Sequence, residues 1–402
     1  MYKILLNRNF ILLLTGMTVS RLGSGIDFIG LNLYVHHVFG SGKILGTFMM
    51  AKMLPAIFFG PVGGYLADHY SRKKIMIICD TLRALLILGY IFTKDLTTFF
   101  IIGITTSALD KIYTAASNAF LPNIVEKEDL MKANSIMRMA SSPATVIASM
   151  AGAVIVSHLS FQWIFILDSL SFVISIMCVT FIIVITQTEK KISKKEGILE
   201  EFGGTIEFLK TQPTMIFLVI VKTIDALGSG AYNMGLPLFA KTLSISRGAA
   251  YGWLVGIWSA GVFAGSLITG YISKRFKIST ETFFGISILI MALGMGLTFH
   301  FNSIYPAMIS IFLGGFGDGL SNVLFFTVLM KDTPDKMRGK ILGTASSMVI
   351  STVAFGMGLS GFFMDKHPIR LITDFSTYMI LLSVFIGIIY FSFKSKKELE
   401  RT

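Results

Sequence analysis

The residues able to do chemistry in this chain are charged side chains set inside apolar runs. The basic ones are Arg21, Lys52, Arg83, Lys111, Arg138 and Lys222, and the acidic ones are Asp27, Asp80, Asp110, Asp168, Asp225 and Asp318. In a bilayer each costs about 2.5–3.5 kcal/mol at a helix centre, so they must face a cavity or one another. The two signs balance, which points to pairing. A carboxylate withdrawn from water in this way is also a group that can exchange a proton during a working cycle.

Spacing sorts these residues. Asp80 with Arg83, and Lys222 with Asp225, stand three apart and share a helix face, so both read as ion pairs. Arg21 and Asp27 are six apart, about 120° around a helix, and each needs a partner elsewhere. Asp110 and Lys111 are adjacent and are expected not to face one another. Lys52 lies near enough to a helix end to snorkel, and Arg138 is a partner for an acid on another helix. The candidates for transport and proton coupling are Asp27, Asp318 and Asp110, then Asp225, with Arg21 and Arg138. Asp318 stands among Gly314, Gly315, Gly317 and Gly319, where backbone or cargo can come close. Asp168, beside Ser169 and Ser171, reads as a hydrogen-bonded structural acid.

Other chemistries have no sequence support. No G-x-x-x-x-G-K-[ST] loop, H-E-x-x-H or G-x-S-x-G is present, so neither ATP-driven pumping within the chain nor an enzyme is expected. No metal-ligand spacing appears. Cys79 and Cys178 sit in separate apolar runs and read as small buried hydrophobes without a disulfide.

These charges need long helices to carry them. The 402 residues are 53% hydrophobic and 14% charged, against about 25% charged in a soluble domain. About twenty apolar residues span the hydrocarbon core, and backbone in lipid must satisfy its own hydrogen bonds, so the spans are helices. Twelve are expected, starting near Phe10, Ile44, Lys74, Thr97, Asn134, Phe161, Thr214, Gly248, Glu281, Ser303, Ile341 and Phe375. The first follows a basic start (Lys3, Arg8) with no cleavage site and reads as an uncleaved helix. The polar stretch 187–213 is a linker between six-helix bundles 1–186 and 214–402.

Lys and Arg fall mostly on alternate loops, such as Arg72–Lys74, the central linker, Lys274–Lys277 and the tail from Lys394. The positive-inside rule then puts both termini in the cytoplasm of a cell with this chain in its plasma membrane. That placement accounts for the net charge of +12 without nucleic acid. The two halves repeat. Leu22-Gly23-Ser24-Gly25 matches Leu227-Gly228-Ser229-Gly230, with Gly30 matching Gly235, at one offset; Gly64-Tyr65 matches Gly270-Tyr271 at nearly the same offset. Duplicated halves with a midplane site are a transporter pattern.

The sharpest local signal runs Gly64-Tyr65-Leu66-Ala67-Asp68-His69-Tyr70-Ser71-Arg72-Lys73-Lys74. Glycines 60, 63 and 64 favour close helix approach. Asp68 at a helix C-terminus is disfavoured by the dipole and calls for a cation, with Arg72 four residues on. This segment resembles the G-x-L-x-D-R-x-G-R-[RK] loop of the major facilitator superfamily. Asp68, Arg72 and Lys73 match, while His69 and Ser71 depart. Asp80-Thr81-Leu82-Arg83, Tyr251-Gly252-Trp253-Leu254 and Pro334-Asp335-Lys336-Met337-Arg338-Gly339-Lys340 resemble the branch holding bacterial macrolide-efflux proteins and enterobactin exporters. The G-P-x-x-G-G of many drug antiporters is absent from the fifth helix, and Lys274 stands where the first half has Asp68.

The resemblance implies an all-α membrane protein of two six-helix pseudo-repeats working by alternating access. Gly64, Asp68, Arg72 and Lys73 would form its cytoplasmic gate. The expected function is proton-coupled export of a hydrophobic or amphiphilic small molecule, macrolide-like or siderophore-like. An importer or a lipid or metabolite translocator on the same fold stays open. The expected partners are membrane lipids and the small-molecule cargo, with no nucleic acid; the chain is expected to be a monomer using the proton gradient, without a cofactor.

Overall fold

The computed structural model describes residues 2–183, 212–243, 249–276, 279–331 and 333–399. The expected linker, apart from Gln212 and Pro213, lies outside the described residues. So do Gly248 and the side chains of Arg138, Asp335, Lys336, Arg338 and Lys340. The described elements are helical. After a short turn at Tyr2–Leu5 come α1 (Arg8–Phe39), α2 (Gly42–Met53), α3 (Pro55–His69), α4 (Arg72–Phe92), α5 (Leu96–Phe120), α6 (Leu130–His158) and α7 (Gln162–Thr180). The second half holds α8 (Pro213–Ala240), α9 (Ala249–Phe276), α10 (Thr280–Thr298), α11 (Ile304–Lys331), α12 (Asp335–Met364) and α13 (Ile369–Leu399).

Local chemistry sets the boundaries. Asn7, Ser71, Asp95 and Ser279 cap the N-termini of α1, α4, α5 and α10 by accepting from first-turn backbone N–H groups, which have no acceptor within the helix. The Thr98 amide and hydroxyl hold the Asp95 carboxyl below the usual carboxylate range. Gly40 ends α1 in the left-handed region at φ 65°, where a side chain would be strained. Pro55 lacks an N–H, so it divides one apolar span, Gly42–His69, into α2 and α3.

Among the described residues, nine segments are long and apolar enough to cross a membrane. Helices α1, α5 and α6 are not among them, although each is long enough to span. Helix α1 carries Arg21 and Asp27 and α5 carries Asp110 and Lys111, whereas several side chains of α6 lie outside the described residues. The span expected near Ile341 begins there, on a helix that starts at Asp335, while the last span begins earlier than the sequence suggested, at Ile369.

The chain forms two compact units. The first comprises Met1–Gly40, Phe48–Ser193 and Ile245–Gly256; the second comprises Ser41–Thr47, Lys194–Ser244 and Ile257–Thr402. In the first, α1 packs on α6 and α7, and α4 packs on α5 and α7. In the second, α8 packs on α12 and α13, and α10 packs on α11 and α13. The matched glycines explain this correspondence. A Cβ at Gly23 would meet Asp168 and Ser171 on α7, and one at Gly228 would meet Ser376 and Ile380 on α13. Gly25 meets Ala148 on α6, as Gly230 meets Val353 and Met357 on α12.

Within the second unit, Gly315 and Gly319 on α11 bring its backbone against the carbonyls of Trp258 and Val262 on α9. Without a hydrophobic drive between helices in lipid, such close packing supplies the association energy. Large apolar side chains such as Leu85, Leu267, Ile309 and Phe385 remain exposed on the exterior, the arrangement expected of a surface whose solvent is lipid.

Candidate functional site

Many of the intramembrane charges gather around one hub in each unit. In the first, Arg83 is the hub and is 6% exposed. Its Nη1 lies 3.2 Å from Asp80 Oδ1 and its Nη2 lies 3.3 Å from Asp110 Oδ1. Nη2 also donates to Ser24 Oγ at 3.4 Å, and the guanidinium stacks 4.1 Å from the Phe172 ring centre. The planar fork of Arg suits this triple engagement, which a Lys ammonium would not reproduce. The expected Asp80–Arg83 pair is therefore present but has a second acid.

Two expectations from spacing are corrected. Asp110 and Lys111 do meet, Nζ to Oδ2 at 3.1 Å, because a four-carbon stem can fold back past the backbone angle that separates neighbours. Lys52 does not snorkel away. Its Nζ lies 3.3 Å from Asp27 Oδ2, since a buried carboxylate attracts the nearest ammonium more strongly than an interface does. Asp168 is 1% exposed, and its Oδ1 accepts from Ser171 Oγ at 3.3 Å. Its Oδ2, like Asp27 Oδ1, has no hydrogen-bond partner among the described residues.

In the second unit, Lys222 on α8 holds two acids. Its Nζ is 2.8 Å from Asp225 Oδ2 and 3.4 Å from Asp318 Oδ1 on α11, and it donates to Ser321 Oγ at 3.2 Å. Asn322 Nδ2 donates to Asp318 Oδ1 at 2.9 Å, and Ser229 Oγ to Asp225 Oδ1 at 3.4 Å. One ammonium thus faces two carboxylates. The glycines around Asp318 do not open space for cargo. Gly314, Gly315, Gly317 and Gly319 are closed by the backbones of α9 and α10, which is why they are glycines.

The motif at the end of α3 works as a set of helix caps. Arg72 Nε donates to Ala67 O at 3.1 Å, and its Nη1 donates to Ala119 O at 2.6 Å and to Asn123 Oδ1 at 2.8 Å. Lys73 Nζ donates to Thr180 O at 2.7 Å and Ile182 O at 2.9 Å. The two cations neutralise the C-terminal ends of α3, α5 and α7, where free carbonyls carry partial negative charge. The guanidinium expected to serve Asp68 is largely engaged by these carbonyls; Asp68 itself is exposed. Of the motif glycines, Gly63 packs against Ile112 and Ala115 of α5, while Gly60 faces open space.

Sequence reasoning missed a cavity of about 250 Å³ in the first unit. It is lined by Leu14, Met17, Thr18 and Arg21 of α1, Thr114 and Asn118 of α5, and Asn134 and Met137 of α6. The signal was available, since Leu14, Thr18 and Arg21, and Thr114 and Asn118, recur at helical spacing on one face. Among the described residues no group of His, Cys, Asp or Glu forms a metal site.

Comparison with known proteins follows the same lines. Residues 13–222 and 218–402 each match the family described as Major Facilitator Superfamily. Macrolide efflux protein A of Streptococcus pyogenes is 25% identical over 369 residues, covering 87% of this chain and 88% of that one. Enterobactin exporter EntS of Salmonella choleraesuis is 22% identical, covering 76% and 74%. Among solved structures, nucleoside transporter NupG superposes with a TM-score of 0.74 at 14% identity, covering 96% of this chain and 98% of that chain. A bacterial homologue of the iron transporter ferroportin, in an inward-facing state, gives 0.73 at 16%, covering 95% and 98%.

Proposed function

The chain belongs to the Major Facilitator Superfamily, and from that premise we propose that it is a proton-coupled exporter of an amphiphilic small molecule. The single observation that carries the coupling is the excess of acid in the second unit, where Lys222 neutralises only one of Asp225 and Asp318. A lone buried carboxylate is costly as an anion and far less so when protonated. The pair therefore takes up a proton in one state and yields it in another. Asp318, the more accessible of the two, is the exchanging group, and Asp225 holds Lys222 in place.

The export direction draws on the similarity to efflux proteins. The cycle is alternating access, in which each unit moves as a body. Gly64, Asp68, Arg72 and Lys73 form the gate end of the first unit; Arg72 and Lys73 tie α3, α5 and α7 together so that they move as one. Asp27 with Lys52, and Asp110 with Arg83 and Lys111, stay paired through the cycle. The protein works as a monomer in the plasma membrane with both termini in the cytoplasm, drawing on the proton gradient and no bound cofactor.

The test is efflux of a panel of macrolides and fluorescent dyes from cells that lack their own pumps, with and without a protonophore. The proposal expects protonophore-sensitive efflux that Asp318→Asn abolishes while the protein still inserts. Uptake of the panel in place of efflux, or efflux untouched by the protonophore, contradicts it.

A further inference from the structure

We infer that the cavity between α1, α5 and α6 binds the anionic group of an amphiphile, with Arg21 as its counter-ion. The inference deepens the proposed function by naming the chemical class of cargo, and it rests on that reading only for the transport step.

Three observations converge on Arg21. First, it stands in a long helix of an apolar chain, yet among the described residues it has no hydrogen-bond or ion-pair partner. Its natural partner is Asp110, which is within electrostatic range. Both Asp110 oxygens are already engaged, Oδ1 by Arg83 at 3.3 Å and Oδ2 by Lys111 at 3.1 Å. Lys52 has Asp27, so among the described intramembrane cations of this unit Arg21 is the one left without a pair.

Second, Arg21 lines a cavity of about 250 Å³, enough for a two-ring aromatic body, and no acid lines it among the described residues. An anion entering meets a positive charge with no competing carboxylate in the wall. Third, the other polar side chains of the wall are donors held in reserve. Thr18, Thr114 and Asn118 make no side-chain hydrogen bond among the described residues, whereas Asn134 donates to Leu130 O at 3.0 Å. Helical threonines elsewhere in the chain bond the carbonyl a turn back, as Thr106 does to Ile102 at 2.8 Å. Leu14, Met17 and Met137 supply an apolar side on which a hydrophobic body can rest, and methionine adapts to varied shapes.

Guanidinium with flanking hydroxyl and amide donors is the donor set that recognises carboxylate, phosphate or sulfate. The apolar wall selects among these for molecules with a hydrophobic body. A charge-assisted hydrogen bond is roughly twice as strong as a neutral one, so the anion is expected to be preferred about tenfold.

The experiment uses the purified full chain in phosphatidylcholine nanodiscs and follows dansyl fluorescence. The probes are dansylglycine and its neutral counterpart dansylglycinamide, which differ only in the carboxylate. The wild type is expected to bind dansylglycine at least about tenfold more tightly; Arg21→Gln should erase the difference and Arg21→Lys should keep most of it. Equal affinities in the wild type, no saturable binding of dansylglycine, or a preference that survives Arg21→Gln overturns the inference. A parallel set of discs containing phosphatidylglycerol separates the two sources of such an anion. Competition there identifies a lipid headgroup as occupant, and its absence identifies free cargo; either result stands with an anion site. If the preference holds but proteoliposomes move no cargo, the transport reading fails and the site remains. If cargo moves without any preference for the anion, the site fails and transport remains.

Discussion

Lys222 and Asp318 meet across two helices, Nζ of α8 to Oδ1 of α11 at 3.4 Å, although Lys222 already holds Asp225 on its own helix at 2.8 Å. The interaction that closes the cluster is therefore the non-local one, and it joins the first helix of the second half to the helix carrying Gly314, Gly315, Gly317 and Gly319.

Removing the shared cation alone should be severe. Lys222→Met leaves the buried Asp225 and the half-buried Asp318 without compensation, and breaking one partner of such a cluster costs about 3–5 kcal/mol. Lys222→Met combined with Asp225→Asn and Asp318→Asn removes every charge together and should recover most of that stability. Thermal unfolding of the purified variants measures both. A triple variant no more stable than Lys222→Met would show that the cluster is held by packing rather than by charge balance.

Arg83 should be irreplaceable by lysine. It reaches Asp80 and Asp110 at once while stacking on Phe172. A lysine at this position would reach one acid and lose the stacking, so Arg83→Lys should destabilise by about 1–3 kcal/mol. Unfolding curves that coincide with the wild type would argue against the hub.

Arg72 separates a cap from a gate. Its hydrogen bonds to Ala67, Ala119 and Asn123 are structural, so Arg72→Gln should lower stability by about 1.5–3 kcal/mol. Asp68→Asn, which removes none of those bonds, should slow transport with a smaller loss of stability than Arg72→Gln. An Arg72→Gln protein as stable as the wild type but inactive would assign Arg72 to the gate alone.

The glycines divide in the same way. A Cβ at Gly315 would collide with the Trp258 carbonyl, whereas one at Gly270 would meet nothing within 4 Å. Gly315→Ala should cost about 1–3 kcal/mol by forcing α9 and α11 apart. Gly270→Ala should be neutral or stabilising by about 0.5–1 kcal/mol, since glycine is a poor helix former. The paired melting temperatures decide this, and equal losses would mean that the α9–α11 seam is no tighter than the exposed end of α9.

What the sequence conveyed was largely what lies on one helix. Asp80–Arg83 and Lys222–Asp225 followed from a spacing of three, and the repeated Leu-Gly-Ser-Gly foretold matching contacts at Gly23 and Gly228, which pack on the last helix of their own halves. Contacts made across helices were not legible. Nothing in a single chain's order pairs Asp27 with Lys52 or Asp318 with Lys222. The adjacent Asp110 and Lys111 misled, because backbone angles were allowed to stand for the reach of a long side chain. Arg21 was recognisable as a charge in need of a partner, but only the positions of Arg83 and Lys111 reveal that Asp110 is taken.

Proton movement coupled to cargo is the central claim, and lumenal pH in reconstituted vesicles tests it most directly. Vesicles holding the purified protein and a trapped pH-sensitive dye would receive a cargo identified from the efflux panel, with no gradient imposed. The account predicts that cargo moving one way across the wild-type protein drives protons the other way, and that Asp318→Asn abolishes the pH change. Cargo flux through the wild type with lumenal pH unchanged would contradict it.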